Sequence, residues 1–411
     1  MMMTLKQHFI NSLYYFLITA VLGFFLRLES TAFSVDIPTQ YRFIVHTHSH
    51  IALLGWVYIA LSSFIVYFFV EKWNINKHYR KVFWATQVCI IGMLIFFPIQ
   101  GYALFSIIFS SLFLLVSYVF FGFILKHTKT QLKLKKSFLL IKYALLYMVI
   151  SSLGPWALGA IMTTLGSESV WYKLAIYFYL HFQYNAWFVL AAIGLMVFLL
   201  ERSKVKIENR AFSKFIVLFN IGIVGTFFLS CLWASSHWSL YLLSNLGSLT
   251  LWIGLYYLWN SIKSEFSTFY LTLSNQSRFI LQFLVLVFLL KLLMQTLSGI
   301  PYIAEIATSN LDVVIGYLHW FFLGFISLFL LFLASYLQWI KLSNFNLGLY
   351  LLAFILTEFL IFYRATTVVL QWAFLPNLNL YLAVASLLFS VSIIGISLQS
   401  IFAPQSKTQR F

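Results

Sequence analysis

The stretch Phe43–Val70, FIVHTHSHIALLGWVYIALSSFIVYFFV, is an unbroken apolar run long enough to cross a bilayer, and it opens with three histidines, His46, His48 and His50. An imidazole buried in lipid costs several kcal/mol (~2 or more) unless it is hydrogen-bonded or ligated. Histidines two apart on a helix point about 200° apart, so His48 and His50 cannot face one ligand together. His46 and His50, four apart, share a face.

The rest of the chain has the same character. It is 411 residues long, 62% hydrophobic, 20% aromatic and only 9% charged. Apolar runs of roughly 20 residues recur from end to end, which predicts an all-α polytopic transmembrane helix bundle of about twelve spans in one domain, residues 1–411. The runs are continuous rather than alternating, which argues against a transmembrane barrel. The predicted spans are Phe9–Phe25, Phe43–Val70, Val82–Gln100, Tyr102–Leu125, Phe138–Thr164, Val170–Leu200, Phe212–Ala234, Ser239–Trp259, Phe279–Leu297, Asp312–Leu337, Leu347–Tyr363 and Leu380–Phe402. Pro98 and Gly101 mark a tight corner between the third and fourth. Cys89 and Cys231 both fall inside spans and imply no disulfide framework.

The net charge of +16 would suggest a nucleic-acid partner in a soluble protein. Here the basic residues collect in alternate short loops, and topology explains them without nucleic acid. With both termini cytoplasmic, the basic residues from Lys6 through Lys407 and Arg410 fall on the inner side. Only Arg27, Arg42, Lys173 and Arg364 remain outside, with the acids Glu29, Asp36, Glu168 and Glu305. This places the chain as a multi-pass protein of the inner (plasma) membrane, with the lipid bilayer as its first partner.

Three of the nine histidines, His8, His78 and His127, lie in basic segments and read as solvated loop residues. The other six fall in the outer half. His50 in the second span and His319 in the tenth lie at nearly one depth, about 10 Å below the surface at 1.5 Å per residue. They share the pattern H-x-x-x-L-G-aromatic, as His50-Ile-Ala-Leu-Leu-Gly-Trp and His319-Trp-Phe-Phe-Leu-Gly-Phe. His181 lies in the sixth span within YLHFQYNAWF, and His237 in the turn before the eighth. Neutral imidazoles are good ligands for heme iron and copper, and two facing helices can supply axial ligands to one porphyrin. His181 can equally form a polar knot with Gln183, Tyr184 or Asn185.

With histidines in the second, sixth and tenth of about twelve spans, and H-x-H-x-x-L-L-G-W in the second, the chain resembles the heme-copper oxidase subunit I superfamily. The likeness is to a short cytochrome-oxidase subunit near nitric oxide reductase. It implies a low-spin heme b between His48 or His50 and His319. It also implies a copper or non-heme iron ligand at His181, with His237 as a further metal candidate. Outer Arg42 and Arg364 are placed to pair with heme propionates. Tyr317 stands where the family's high-spin heme ligand is expected, and no histidine pair appears in the seventh span, so oxidoreductase catalysis has no complete residue set. The implied roles are electron transfer or O2/NO chemistry or sensing, with an electron donor and other respiratory subunits as partners. The alternative is a cofactor-free transporter or proton/solute-conducting protein, for which Lys142, Lys291 and Glu358 lie within or near spans.

Overall fold

The computed structural model describes residues 4–34 and 39–402. The topology assignments made for Asp36, Lys407 and Arg410 lie outside the described residues. Helix dominates throughout; the described residues contain no strand, only an isolated bridge pairing Val70 with Thr128. That outcome follows from the composition, because backbone groups in an apolar run must bond within their own segment.

Twelve long helices occur among the described residues. They are α1 (Leu5–Leu28), α2 (Tyr41–Phe69), α3 (Lys72–Gln100), α4 (Leu104–His127), α5 (Lys136–Thr164), α6 (Val170–Arg202) and α7 (Asn209–Cys231). They continue as α8 (Trp238–Thr272), α9 (Asn275–Leu297), α10 (Leu311–Tyr336), α11 (Asn344–Leu370) and α12 (Leu378–Phe402). A short helix, Pro301–Ser309, precedes α10. Eleven of the twelve are long and apolar enough to cross a membrane. The exception is α8, which is richer in Ser and Asn. It runs 35 residues, through the segment expected to be a loop, because no Gly or Pro stops it between Asn260 and Thr272.

Local chemistry sets the ends. Thr4 and Gln7 cap α1 reciprocally, so the helix starts earlier than expected and takes in His8. His8 is therefore not a solvated loop residue. It is buried, with its ring stacked on Phe83 at 3.6 Å. His78 and His127 are half-buried and stack on each other at 4.9 Å. The predicted Pro98/Gly101 corner is present. Gly101 ends α3 at φ +60°, and a Cβ there would stand 2.3 Å from the Phe43 ring, so only glycine fits. Helix α5 breaks at Ser152, since Pro155 has no N–H and its ring would crowd the carbonyl of Ser151.

The chain divides into two compact units, one of residues 1–128 and 318–411 and one of residues 129–317. In the first, α1 packs on α2 and α12, α3 on α4, and α11 on α12. In the second, α5 packs on α6, and α7 on α8. Lipid offers apolar groups nearly what a neighbouring helix does, so close approach and cross-helix hydrogen bonds matter most. At the α7–α8 contact Gly225 and Gly247 lie backbone to backbone, and a Cβ on Gly247 would come within 2.6 Å of the Gly225 carbonyl carbon. In the first unit the Trp56 indole donates to Ser327 Oγ (2.7 Å), tying α2 to α10. Tyr350 of α11 donates to the Leu323 carbonyl of α10 (2.8 Å).

Three helices stand apart from the rest. Over their most apolar windows α2, α6 and α10 are 83%, 78% and 67% buried, whereas every other span is half buried or less. These three most buried helices are the ones that carry His48 and His50, His181 and His319. Each also turns from α to π immediately after a histidine, over Ile51–Tyr58, Phe182–Phe188 and Trp320–Ser327. The H-x-x-x-L-G-aromatic echo has a third copy here, relaxed to His181-Phe-Gln-Tyr-Asn-Ala-Trp. The small residue (Gly55, Ala186, Gly324) and the aromatic one (Trp56, Trp187, Phe325) are buried in all three. Short π segments inside α-helices are frequent at functional sites.

Candidate functional site

In the first unit, Thr19, Gly23 and Arg27 recur every four residues along α1 and so form one stripe. His48 of α2 is set against that stripe. Its Nδ1 donates to the Thr19 carbonyl at 3.0 Å, which fixes the tautomer and leaves the Nε2 lone pair for another partner. Gly23 makes room for the ring: a Cβ there would lie 3.1 Å from His48 Cε1. His319 of α10 lies within electrostatic reach of both His48 and Arg27, and Arg27 also reaches Glu358 of α11. Among the described residues the buried Nδ1 of His319 has no hydrogen-bond partner, and neither ring's Nε2 is hydrogen-bonded. Both rings are half-buried. Glu358 is buried mid-span, and neither of its carboxyl oxygens has a hydrogen bond among the described residues.

His50 is engaged elsewhere. Its Nδ1 donates to the His46 carbonyl (2.8 Å), the Tyr102 hydroxyl donates to its Nε2 (3.0 Å), and its ring packs on Phe97 at 4.3 Å. His46 lies on the same face, 4.6 Å from the Tyr102 ring, as their spacing of four requires. Of the two alternatives in the second span, His48 has an open nitrogen beside His319, and both nitrogens of His50 are taken. Arg42 is exposed and lies near His46. Arg364 donates to Asn379 Oδ1 (2.9 Å) beside a cavity of about 410 Å³ lined by Ser30, Thr31, Phe374 and Asn377.

In the second unit the knot at His181 is the arrangement found. Asn185 Nδ2 donates to His181 Nδ1 (3.1 Å), and His181 Nε2 donates to the Ile223 carbonyl (2.9 Å). Both ring nitrogens are thereby used. Lys291 of α9, fully buried, donates to Asn185 Oδ1 (2.5 Å) and Gln295 Oε1 (2.6 Å). Its ammonium lies 5.8 Å from the centroid of the Tyr317 ring, which in turn meets Tyr184 at 6.2 Å. His237 is exposed and caps α8, with Nδ1 2.8 Å from Ser239 Oγ. The structure does not bring His237 to His181. Among the described residues no group of three or more His, Cys, Asp or Glu is arranged to hold a metal ion.

Sequence reasoning missed the α1 stripe and the lysine-centred network. Arg27 reads as a loop charge until α1 is seen to extend to Leu28. Lys291 and Asn185 are 106 positions apart, and no local pattern joins them. Scanned against models of known protein families and against curated proteins, the chain matches none.

Proposed function

We propose that this multi-pass membrane protein binds one low-spin heme b between His48 of α2 and His319 of α10 and passes electrons through it. One observation carries the reading: two imidazoles from separate helices lie within electrostatic reach of each other in the first unit, and neither Nε2 is hydrogen-bonded among the described residues. The surrounding residues fit the group. The Thr19 carbonyl holds the His48 tautomer that leaves Nε2 free, and Gly23 leaves the ring its position. The orphaned Nδ1 of His319 has no competing protein partner. Arg27 supplies positive charge at the same place for an acidic substituent. Held by His48 and His319, a heme would supply reversible one-electron chemistry. Electron transfer therefore follows more directly than O2 or NO reduction, which would need further metal ligands that His181 and His237 do not assemble. An electron donor, companion respiratory subunits and an inner-membrane location belong to the same reading.

The buried Lys291 and Glu358 favour the second reading, cofactor-free conduction of protons or a solute. A reduced-minus-oxidised optical spectrum of protein purified from heme-replete cells, with heme extracted and counted, separates the two. The proposal expects a b-type spectrum at one heme per chain, lost in His48→Ala and in His319→Ala and kept in His50→Ala. A featureless spectrum from the unaltered protein, or one that survives His319→Ala, overturns it.

A further inference from the structure

The heme reading makes no use of a small cavity further along α2. It lies in the first unit among α2, α3 and α4 and has a volume of about 10 Å³. Four hydroxyl-bearing residues line it, Tyr58 and Ser62 of α2 and Tyr79 and Thr86 of α3, together with Phe83 and Phe120. All six are 3% exposed or less, so the space is internal. Hydroxyls inside helices commonly donate back to the carbonyl four residues earlier. Ser63 does so to Ile59 (2.8 Å), and Thr86 to Val82 (2.8 Å). Ser62 does not. The carbonyl it would use belongs to Tyr58, the last residue of the π segment, and its Oγ has no hydrogen-bond partner among the described residues. A buried hydroxyl left in that state is costly, and native structures usually meet it with a protein group or a bound water. The Tyr58 hydroxyl lies near Ser62 and within electrostatic reach of the Tyr79 phenol, so the oxygens gather around one place. Thr86 Oγ1 has given its hydrogen to Val82 and can only accept, whereas Ser62 can donate or accept. A water molecule needs roughly 10–15 Å³ and a few polar partners. The cavity offers both, and nothing larger fits.

We propose that this cavity binds one water molecule, which links Ser62 of α2 to Thr86 of α3. The water bonds Ser62 Oγ and donates to Thr86 Oγ1, with the Tyr58 and Tyr79 phenols beside it. It supplies the partner that Ser62 does not find in its own helix. Cross-helix hydrogen bonds are among the few specific ties open to helices in lipid. This one fastens α2 to α3 just past the π turn, and so fixes the segment from which the helix runs back to His48. The site needs no heme, so its test stands or falls separately from the preceding reading.

The experiment is X-ray hydroxyl-radical footprinting of the purified full-length protein in detergent, read by mass spectrometry and normalised to the unfolded chain. Radicals from bulk water attack exposed side chains, whereas a radical made from an enclosed water oxidises the residues around it. The expected result is that Tyr58 and Phe83 are oxidised several times faster than Phe64 and Phe69, which are fully buried on α2 and do not line the cavity. That excess is lost in Ser62→Val, which removes the hydroxyl and fills the space with a methyl group. Rates at Tyr58 and Phe83 no higher than those of the two controls overturn the proposal. So does an undiminished excess in Ser62→Val that retains native circular dichroism. If Ser62→Val does not fold, Thr86→Val decides, because it keeps the shape of the side chain and removes only the acceptor: a reduced excess supports the link and an unchanged one refutes it.

Discussion

The bond between Trp56 and Ser327 joins the two helices that carry His48 and His319, and removing it has a calculable effect. Trp56 is 2% exposed and Ser327 1%, so no water can replace either partner. Ser327→Ala leaves the indole N–H buried and unsatisfied, at a cost of about 1–3 kcal/mol. Cross-helix hydrogen bonds in membranes average about 0.6 kcal/mol, because the separated helices find other partners. Both partners here are buried, so about 1 kcal/mol is the expected loss. Trp56→Phe loses ring volume as well, and the ring stacks on Phe16 at 4.6 Å, so its cost is larger, about 1–3 kcal/mol. The double variant has neither donor nor acceptor to strand. It should fall short of the sum of the single effects by about 0.5–1 kcal/mol. The assay is equilibrium unfolding in mixed micelles followed by far-ultraviolet circular dichroism, which does not depend on tryptophan. A Ser327→Ala variant within about 0.3 kcal/mol of the unaltered protein, or strict additivity in the double variant, refutes the reasoning.

Three other outcomes follow from the structure. Gly247→Ala should destabilise the α7–α8 contact by about 1–3 kcal/mol or more, since a methyl there would meet immovable backbone; Gly348→Ala, where nothing lies within 4 Å, is the control and should be near neutral in the same unfolding assay. Glu208 accepts the Ala211 and Arg210 amides at the start of α7, and these bonds hold its carboxyl below the usual carboxylate range. Its contribution is therefore present above the unfolded value of about 4.3 and lost as pH falls through the lower folded one. Glu208→Gln should flatten that acid limb in a pH series of unfolding midpoints, and an unchanged limb would count against the cap. Tyr102→Phe removes the donor to His50 Nε2 and should leave the optical spectrum expected of a His48–His319 heme unaltered, whereas a change in that spectrum would return His50 to candidacy.

Much of the architecture is legible in the chain because lipid leaves an apolar run no choice but helix. The spans begin and end where charges and Pro/Gly corners put them. Where reading failed, a specific interaction prevailed over the general pattern. The Thr4–Gln7 cap drew His8 into the bundle, and Pro155 cut α5 in two. The absence of any helix breaker carried α8 past its expected end. At the candidate site, the residue types and the helices bearing them can be named from sequence. Which of His48 and His50 keeps an open nitrogen cannot, because that turns on Tyr102 and Thr19, each about 30 or more positions away in the chain. The pairing of Lys291 with Asn185 is equally out of reach for any periodic pattern.

The π turns have an arithmetic of their own. Each marks a place where a helix has absorbed more residues than α winding would hold, and every residue in an α-helix advances the helix by about 100°. Delete one residue between Ile51 and Tyr58 and α2 can rewind as a plain α-helix with both halves near their present orientation, so His48 stays at the Thr19 carbonyl. Once the surplus is spent, each further deletion swings the half that carries His48 by about 100° and takes its imidazole away from that carbonyl. The π turns are thus a reserve of chain length, and in these three helices the direction of the histidine is fixed by how much of that reserve remains.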